Sequence, residues 1–267
     1  MAVTRARTLV LGVALGLVAA GQARRHHDSA ARRAAALDVR DEAVDDALAT
    51  TSTTTGTSSE PLLAVVIAAY NEAGSIGPVL EALPRTICGL RVCPVVIDDG
   101  SADETAKEAR AAGAVVGSHG RNLGQGDALR TGFELARHLG ARVVVTMDAD
   151  GQHDPAELPD LVGPVAGGDA DYVQGSRFLG AYDDAGGARD IGIRGFTRLQ
   201  LVEDRFSASE ILIQAAGQGL RIREVPVHIR SREIGESKKP RGLGYAWGYL
   251  GAIIRSWARI HDPRSRS

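Results

Sequence analysis

The sequence predicts an α/β domain built on a mostly parallel central sheet. Three observations predict it. From residue 62 onward, apolar strand-like runs alternate with helical patterns, the order expected of βαβ units. The runs are continuously apolar, as strands buried on both faces are. Polar clusters follow three of them, beyond the carboxyl ends of the strands, where an open α/β sheet carries its ligands.

The first 60 residues stand apart as an apolar segment followed by a disordered Ser/Thr-rich linker. TLVLGVALGLVAAG (8–21) is apolar and follows Arg5 and Arg7. A transmembrane helix needs about 20 such residues, so this run is short for a span. Its length suits the core of a signal peptide, with AGQA as a loose cleavage site. Arg24, Arg25, Arg32 and Arg33 then place more positive charge after the segment than before it, which favours keeping the downstream domain in the cytoplasm. The segment reads as a weak membrane anchor, a signal peptide, or a disordered extension foreign to the fold. ATTSTTTGTSSEP (49–61) has no core-forming residue, so the folded domain is expected to begin near Pro61 and run to 240.

Within the domain, five strands are expected in LLAVVIAAY (62–70), VCPVVIDDG (92–100), GAVVGSH (113–119), ARVVVTMDAD (141–150) and ADYVQGSRF (170–178). Ser101 and Glu104 form a capping box for the helix in SADETAKEARAAG, with Gly113 as its stop. Ala128, Leu129, Gly132, Phe133, Ala136 and Leu139 make one helical face. Asp154-Pro155 reads as a cap and first turn. Ser207 and Glu210 read as another capping box. Cys88 and Cys93 are the two cysteines. They form no disulfide framework, which favours a reducing compartment, and both are expected to be small buried apolar side chains. A net charge of −2 gives no basic field to attract nucleic acid.

The chemistry starts with Asp148-Ala149-Asp150. Two like charges so close repel unless a cation lies between them. Such a pair is either a solvated turn or a metal site. Hard oxygen ligands with open positions suit Mg²⁺ or Mn²⁺ bridging phosphates, and such an ion would neutralise charge on a diphosphate leaving group.

The series VVIAAYNEAGSIGPVLEALP, VVIDDGSADET, RNLGQGDALRTG, VVVTMDADGQHDPAELPDL and VQGSRF resembles the family 2 glycosyltransferases of the GT-A (Rossmann-like) fold. The likeness is nearest to the polyprenol-phosphate sugar synthases, including the dolichol-phosphate mannose synthases, and covers roughly residues 62–245. It implies that Tyr70, Asn71 and Glu72 hold the nucleotide base and ribose and that Asp99 contacts the base. Asn122, Gly124 and Gly126 match the loop and helix start after the third strand. Asp148, Asp150 and Gln152 match the diphosphate and metal site. Arg177 lies where the sugar or acceptor phosphate is met, and Arg230, Arg232, Ser237 and Lys238 match the segment near the acceptor phosphate. Asp150, Gln152 and Arg177 are thus the implied catalytic residues. The implied activity is inverting, metal-dependent transfer of a hexose, mannose or glucose, from a GDP- or UDP-sugar to a polyprenyl or dolichyl phosphate.

Two departures stand out. The family pattern passes from GARDIGIRGFTRL through a helix and a TD…SGFR segment, whereas here FTR runs directly into LQLVEDRFSASE. The acceptor-side segment is apparently missing, which would uncover a strand edge. Residues 241–267 end in an amphipathic, aromatic-rich stretch around Tyr245, Trp247, Tyr249, Ile253, Ile254 and Trp257. It either lies on a membrane surface or packs on the domain. Two alternative readings remain. A nucleotidyltransferase would carry a basic Gly-rich loop after the first strand, and AAYNEAGSIG has no basic residue. A binding module would hold a nucleotide sugar without turnover. The expected location is cytoplasmic, peripheral to the membrane face.

Overall fold

The structure, a computed structural model, describes residues 34–51, 60–176, 179, 191–193, 207–228, 251–258 and 260. Its centre is an eight-stranded mixed sheet. The strands are β1 (Leu62–Ala69), β2 (Thr86–Ile87), β3 (Leu90–Asp98), β4 (Val115–Ser118), β5 (Ala141–Asp148), β6 (Tyr172–Ser176), β7 (Ile191–Ile193) and β8 (Ile222–Pro226). β1 lies between β3 and β5, parallel to both. β7 runs antiparallel between β5 and β6, and β8 pairs parallel with β6.

The continuous apolar runs work as sequence reasoning expects. Leu63, Val65 and Ile67 of β1 enter one core with Val143, Val145 and Met147 of β5. Leu62, Ala64 and Val66 enter the opposite core. Each fully buried Val, Leu or Ile contributes about 1.5–3 kcal/mol, so a strand buried on both faces anchors two layers at once. The helices α2 (Ile76–Glu81), α3 (Thr105–Ala111) and α5 (Leu158–Gly167) border the first core. The second core takes Val44, Ala47 and Leu48 of α1 (34–51), with α4 (Gln125–His138) and α6 (Ser207–Gly217). The helical face expected in α4 is buried there, with Ala128, Leu129, Phe133 and Ala136 in the core and Leu139 packed at its margin. A Cβ at Gly132 would fall 2.3 Å from Val66 Cγ1, so only glycine lets α4 lie this close to β1.

Pro94 lies inside β3, where a proline cannot donate to a ladder. On the far edge of β3, β2 pairs with Leu90 and Arg91 and β4 with Val95 to Asp98. Pro94 falls in the gap between those two partners.

Three local expectations are corrected. The core does not begin at Pro61: α1 puts Ala43, Val44 and Ala47 into it, each at most 4% exposed. Alanines fill most of that stripe, which weakens its hydrophobic signal. The Ser101–Glu104 capping box does not form, since Glu104 makes no side-chain cap bond at the start of α3. Its other end is as read: Gly113 has φ +85°, its N–H donates to Arg110 O, and that of Ala114 donates to Ala109 O. Cys88 is exposed, at φ +50° in the β2–β3 turn. Only Cys93 is buried, and that burial raises its thiol pKa.

β8 carries exposed Arg223 and Glu224 and ends on Pro226, the charge and proline that blunt an edge. The last helix, α7 (251–258), buries Ala252 and Ser256 and leaves Ile254 and Trp257 exposed. Among the described residues, no helix is long and apolar enough to cross a membrane.

Candidate active site

β3, β1 and β5 end side by side. Ala69 is in register with Asp98, and Ala68 with Asp148. The two aspartates therefore flank the end of β1 at two strand spacings, roughly 10 Å. Strand order also reverses here, with β3 and β4 on one side of β1 and β5 on the other. Such a switch point opens the crevice in which open α/β sheets bind ligands.

The β1–β3 bank is an interlocked pair of loops. Tyr70 is 39% exposed. Asn71 sits at φ +51°, a left-handed conformation that asparagine tolerates. Its N–H donates to Ser101 Oγ at 2.9 Å, and its Oδ1 accepts from Ala102 N–H at 2.9 Å. The next three N–H groups donate to Thr105 Oγ1 (Glu72, 2.9 Å), Asp103 Oδ2 (Ala73, 3.1 Å) and Glu108 Oε2 (Gly74, 2.7 Å). The polar side chains of SADETAKE thus serve the neighbouring loop, which is why Ser101 does not cap its own helix. Partial burial works to raise the Asp103 carboxyl. The bonds from the Thr105 hydroxyl and from the N–H groups of Ala73 and Thr105 outweigh it and hold the group below the ordinary carboxylate range.

Beneath this lies a buried network. Asp98 Oδ1 accepts from Ser101 N–H at 3.0 Å. Gly100 has φ +75°, and a Cβ there would meet Arg121 C at 2.4 Å, so the RNLG loop crosses directly over it. Asp99 is 3% exposed. Its Oδ1 accepts from Leu123 N–H at 2.9 Å and faces His119 Nδ1 at 2.7 Å, and its Oδ2 accepts from Gly124 N–H at 2.8 Å. His119 Nε2 meets Thr131 Oγ1 at 2.9 Å. Gly124, at φ +100°, then opens α4.

The β5 bank is a tight turn. Asp148 closes the strand with its side chain 32% exposed, and His153 Nε2 lies 4.0 Å from its Oδ2. Asp150 and Gln152 are buried, and Asp150 Oδ1 accepts from Gln152 N–H at 3.2 Å across Gly151. Asp154 Oδ1 takes Ala156 N–H at 3.0 Å, the cap expected at Asp154-Pro155, although the turn it starts is 3₁₀. Glu157, in that turn, accepts His228 N–H at 2.9 and 3.0 Å and ties the chain after β8 to this bank.

This arrangement is matched by a family model described as "Glycosyl transferase family 2" over residues 64–226, well over half of the chain. The chain belongs to glycosyl transferase family 2. An uncharacterised protein of Methanocaldococcus jannaschii is 32% identical over 61% of this chain and 79% of its own length. A UDP-N-acetylglucosamine–dolichyl-phosphate N-acetylglucosaminyltransferase of Methanococcus voltae is 32% identical over 44% of this chain and 53% of its own. For the dodecaprenyl-phosphate galacturonate synthase of Rhizobium johnstonii the figures are 32%, 43% and 36%. The chain therefore spans about a third to a half of the length of these two enzymes. Among solved structures, glucosyl-3-phosphoglycerate synthase of Mycobacterium tuberculosis, in complex with Mn²⁺, UDP-glucose and phosphoglyceric acid, superposes with a TM-score of 0.57. It is 19% identical and the match covers 81% of this chain and 83% of that one. The fold is thereby GT-A.

In this family 2 chain, Tyr70, Asn71, Glu72, Asp99, Gly124, Asp148, Asp150 and Gln152 all lie at or just beyond the carboxyl ends of β1, β3 and β5 or in the loop that opens α4. Arg177, Arg230, Arg232, Ser237 and Lys238 lie outside the described residues, as does the junction at FTRLQLVED. Asp148, Asp150 and Gln152 supply only oxygen donors, the set that suits Mg²⁺ or Mn²⁺. Among the described residues no group of three or more His, Cys, Asp or Glu could hold a metal. Sequence reasoning passed over His119, Thr105 and Asp103. His119 had one available signal: it directly follows β4, as Asp99 follows β3.

Proposed function

We propose that the chain moves a hexose from a nucleotide sugar to a polyprenyl phosphate with inversion, aided by Mg²⁺ or Mn²⁺. The observation that carries this reading is the alignment of three polar clusters on the carboxyl ends of the adjacent strands β3, β1 and β5. The polyprenyl-phosphate acceptors named for the Methanococcus and Rhizobium relatives support the acceptor class.

On this reading Tyr70, Asn71, Glu72 and Asp99 receive the nucleoside on a bank whose loops are already locked. Preorganisation of that kind lowers the ordering cost of binding. Asp148, Asp150 and Gln152 would hold the ion, which would neutralise charge on the departing diphosphate. The acceptor phosphate is already anionic at neutral pH and attacks the anomeric carbon as the diphosphate departs from the opposite face. The protein's work is then positioning and charge stabilisation rather than strong base catalysis. Arg177 and the Arg230, Arg232, Ser237 and Lys238 group would hold the acceptor and sugar by charge-assisted bonds.

A transfer assay with purified protein, a panel of UDP- and GDP-hexoses and a short polyprenyl phosphate tests this. Asp148→Asn and Asp150→Asn should each lower turnover by roughly 10²–10³-fold with an unchanged melting transition. Full activity in both variants would sink the metal-site assignment. Pyrophosphate release would instead point to nucleotidyl transfer. Donor binding without turnover would favour a binding module, the reading motivated by the direct FTR–LQLVED junction.

The exposed Ile254 and Trp257 of α7 support a peripheral contact with the cytoplasmic membrane face. Membranes from expressing cells should release the protein on a high-salt wash; fully soluble protein at low salt would remove this placement.

A further inference from the structure

We infer that Glu157 is a positioning residue that fixes the acceptor side of the site to the turn carrying Asp150 and Gln152. The inference rests on the proposed roles of Asp150 and Gln152 toward the ion and of Arg177 and Arg230 toward the acceptor.

β8 is held at both ends by a carboxylate. At its start, Asp171 Oδ2 accepts the Arg221 backbone N–H at 3.0 Å and its Nε–H at 2.9 Å, and Oδ1 accepts from Nη2 at 2.9 Å. Asp171 directly precedes β6, the ladder partner of β8. Together with five register pairs, from Tyr172–Ile222 to Ser176–Pro226, these bonds already set the strand. At the other end, both oxygens of Glu157 accept one donor, the His228 N–H, at 2.9 and 3.0 Å. Glu157 belongs to neither β6 nor β8: it closes the 3₁₀ turn, five residues after Gln152. β6 offers the departing chain little. Pro226 has no N–H to donate, and the Val227 N–H reaches Ser176 O only at a long 3.4 Å. The next N–H, that of His228, makes its short bond to Glu157 instead.

That bond joins three segments. Ser176 is followed by Arg177, and Arg230 lies two residues beyond His228, within about 7 Å of it by backbone length alone. On the other side, Glu157 N–H donates to Asp154 O at 3.0 Å, in the turn that follows Asp150 and Gln152. A carboxylate bridging these segments sets how far the acceptor phosphate lies from the departing diphosphate. A misplacement of about 1 Å in such a geometry can cost about 10²-fold in rate.

Calorimetry of the full chain tests this. Nucleotide affinity is measured with UDP and with GDP in MnCl₂, and a short polyprenyl phosphate is then titrated into protein saturated with the tighter of the two. Glu157→Ala should weaken the lipid phosphate by roughly tenfold, the size of one bond to a charged group, with nucleotide affinity unchanged. Glu157→Asp, one methylene shorter, keeps the charge but withdraws it from the His228 N–H and should show the same loss. Glu157→Gln keeps a carbonyl oxygen for that N–H and should recover most of it. Circular dichroism melts check that each variant folds. Lipid-phosphate affinity equal to the parent's in folded Glu157→Ala or Glu157→Asp overturns the inference while leaving the site intact. A loss shared equally by the nucleotide also overturns it, since Glu157 would then serve only the β5 turn. Failure of the parent to bind any lipid phosphate removes the acceptor reading, and the inference with it.

Discussion

The two banks of the crevice are built differently. On the β1–β3 bank, side chains of one loop bind backbone N–H groups about thirty residues away, from Asn71 to Gly74. On the β5 bank the carboxylates ride a short turn, with Asp150 bonded two residues on and Asp148 one-third open to solvent. The first bank is tied together by its own side chains. The second presents two carboxylates at close spacing, and like charges so close repel. On the proposed reading, the bank that recognises is rigid, and the bank that reacts is completed by its ligand.

Breaking the rigid bank should have the largest effect on stability. Gly100→Ala forces a side chain into φ +75° and against the Arg121 backbone at 2.4 Å. It should cost roughly 2–5 kcal/mol in urea unfolding, from strain and overpacking together. A loss under about 1 kcal/mol would show that the RNLG loop yields easily and that the bank is soft.

A smaller change sharpens the comparison. Thr105→Val keeps the shape of a fully buried residue but leaves Glu72 N–H without its acceptor. A loss of about 1–3 kcal/mol is expected, with weaker nucleotide binding and an unchanged turnover number. A fall in turnover alone would mean that the bank takes part in chemistry.

The smallest effect is one of pH. The Asp103 carboxyl is held below its ordinary value, near 3.9 in model peptides. Its contribution is therefore present above the unfolded pKa and lost as pH falls through the lower folded one. Comparing wild type with Asp103→Asn from pH 6 to pH 2, the stability gap should be widest at the upper end and shrink below about pH 4. A gap that grows on acidification would reverse the sign assigned to this group.

Much of the fold was legible in the sequence, for identifiable reasons. Long apolar runs such as Leu62–Ala69 and Ala141–Asp148 announce buried parallel strands because both faces must be apolar. Three-residue β7 has too few positions to show a period, and α1 buries alanines rather than large apolar groups. At the candidate site, the placement of Asp148 and Asp150 at the end of β5 was legible because an apolar run leads straight into them. The partners of Ser101 and Thr105 were not. Ser-X-X-Glu also describes a cap, and only the tertiary fold decides that the hydroxyl turns to Asn71. His119 was hidden for a similar reason, since its partner Asp99 lies twenty positions earlier.

The position of β1 has a consequence for how the chain is made. Among the described strands it is the first to be synthesised, yet its register with β5 joins Leu62 to Ala141. At about 5–20 residues per second, β5 emerges roughly 80 residues, and several seconds, later. Throughout that interval one of the most apolar stretches of the domain has an unsatisfied edge. Parallel pairing over such a separation is slow to form. Yield on expression should therefore depend on how fast translation passes from β1 to β5 and on which chaperones meet the nascent chain, even for variants whose finished fold is as stable as the parent's.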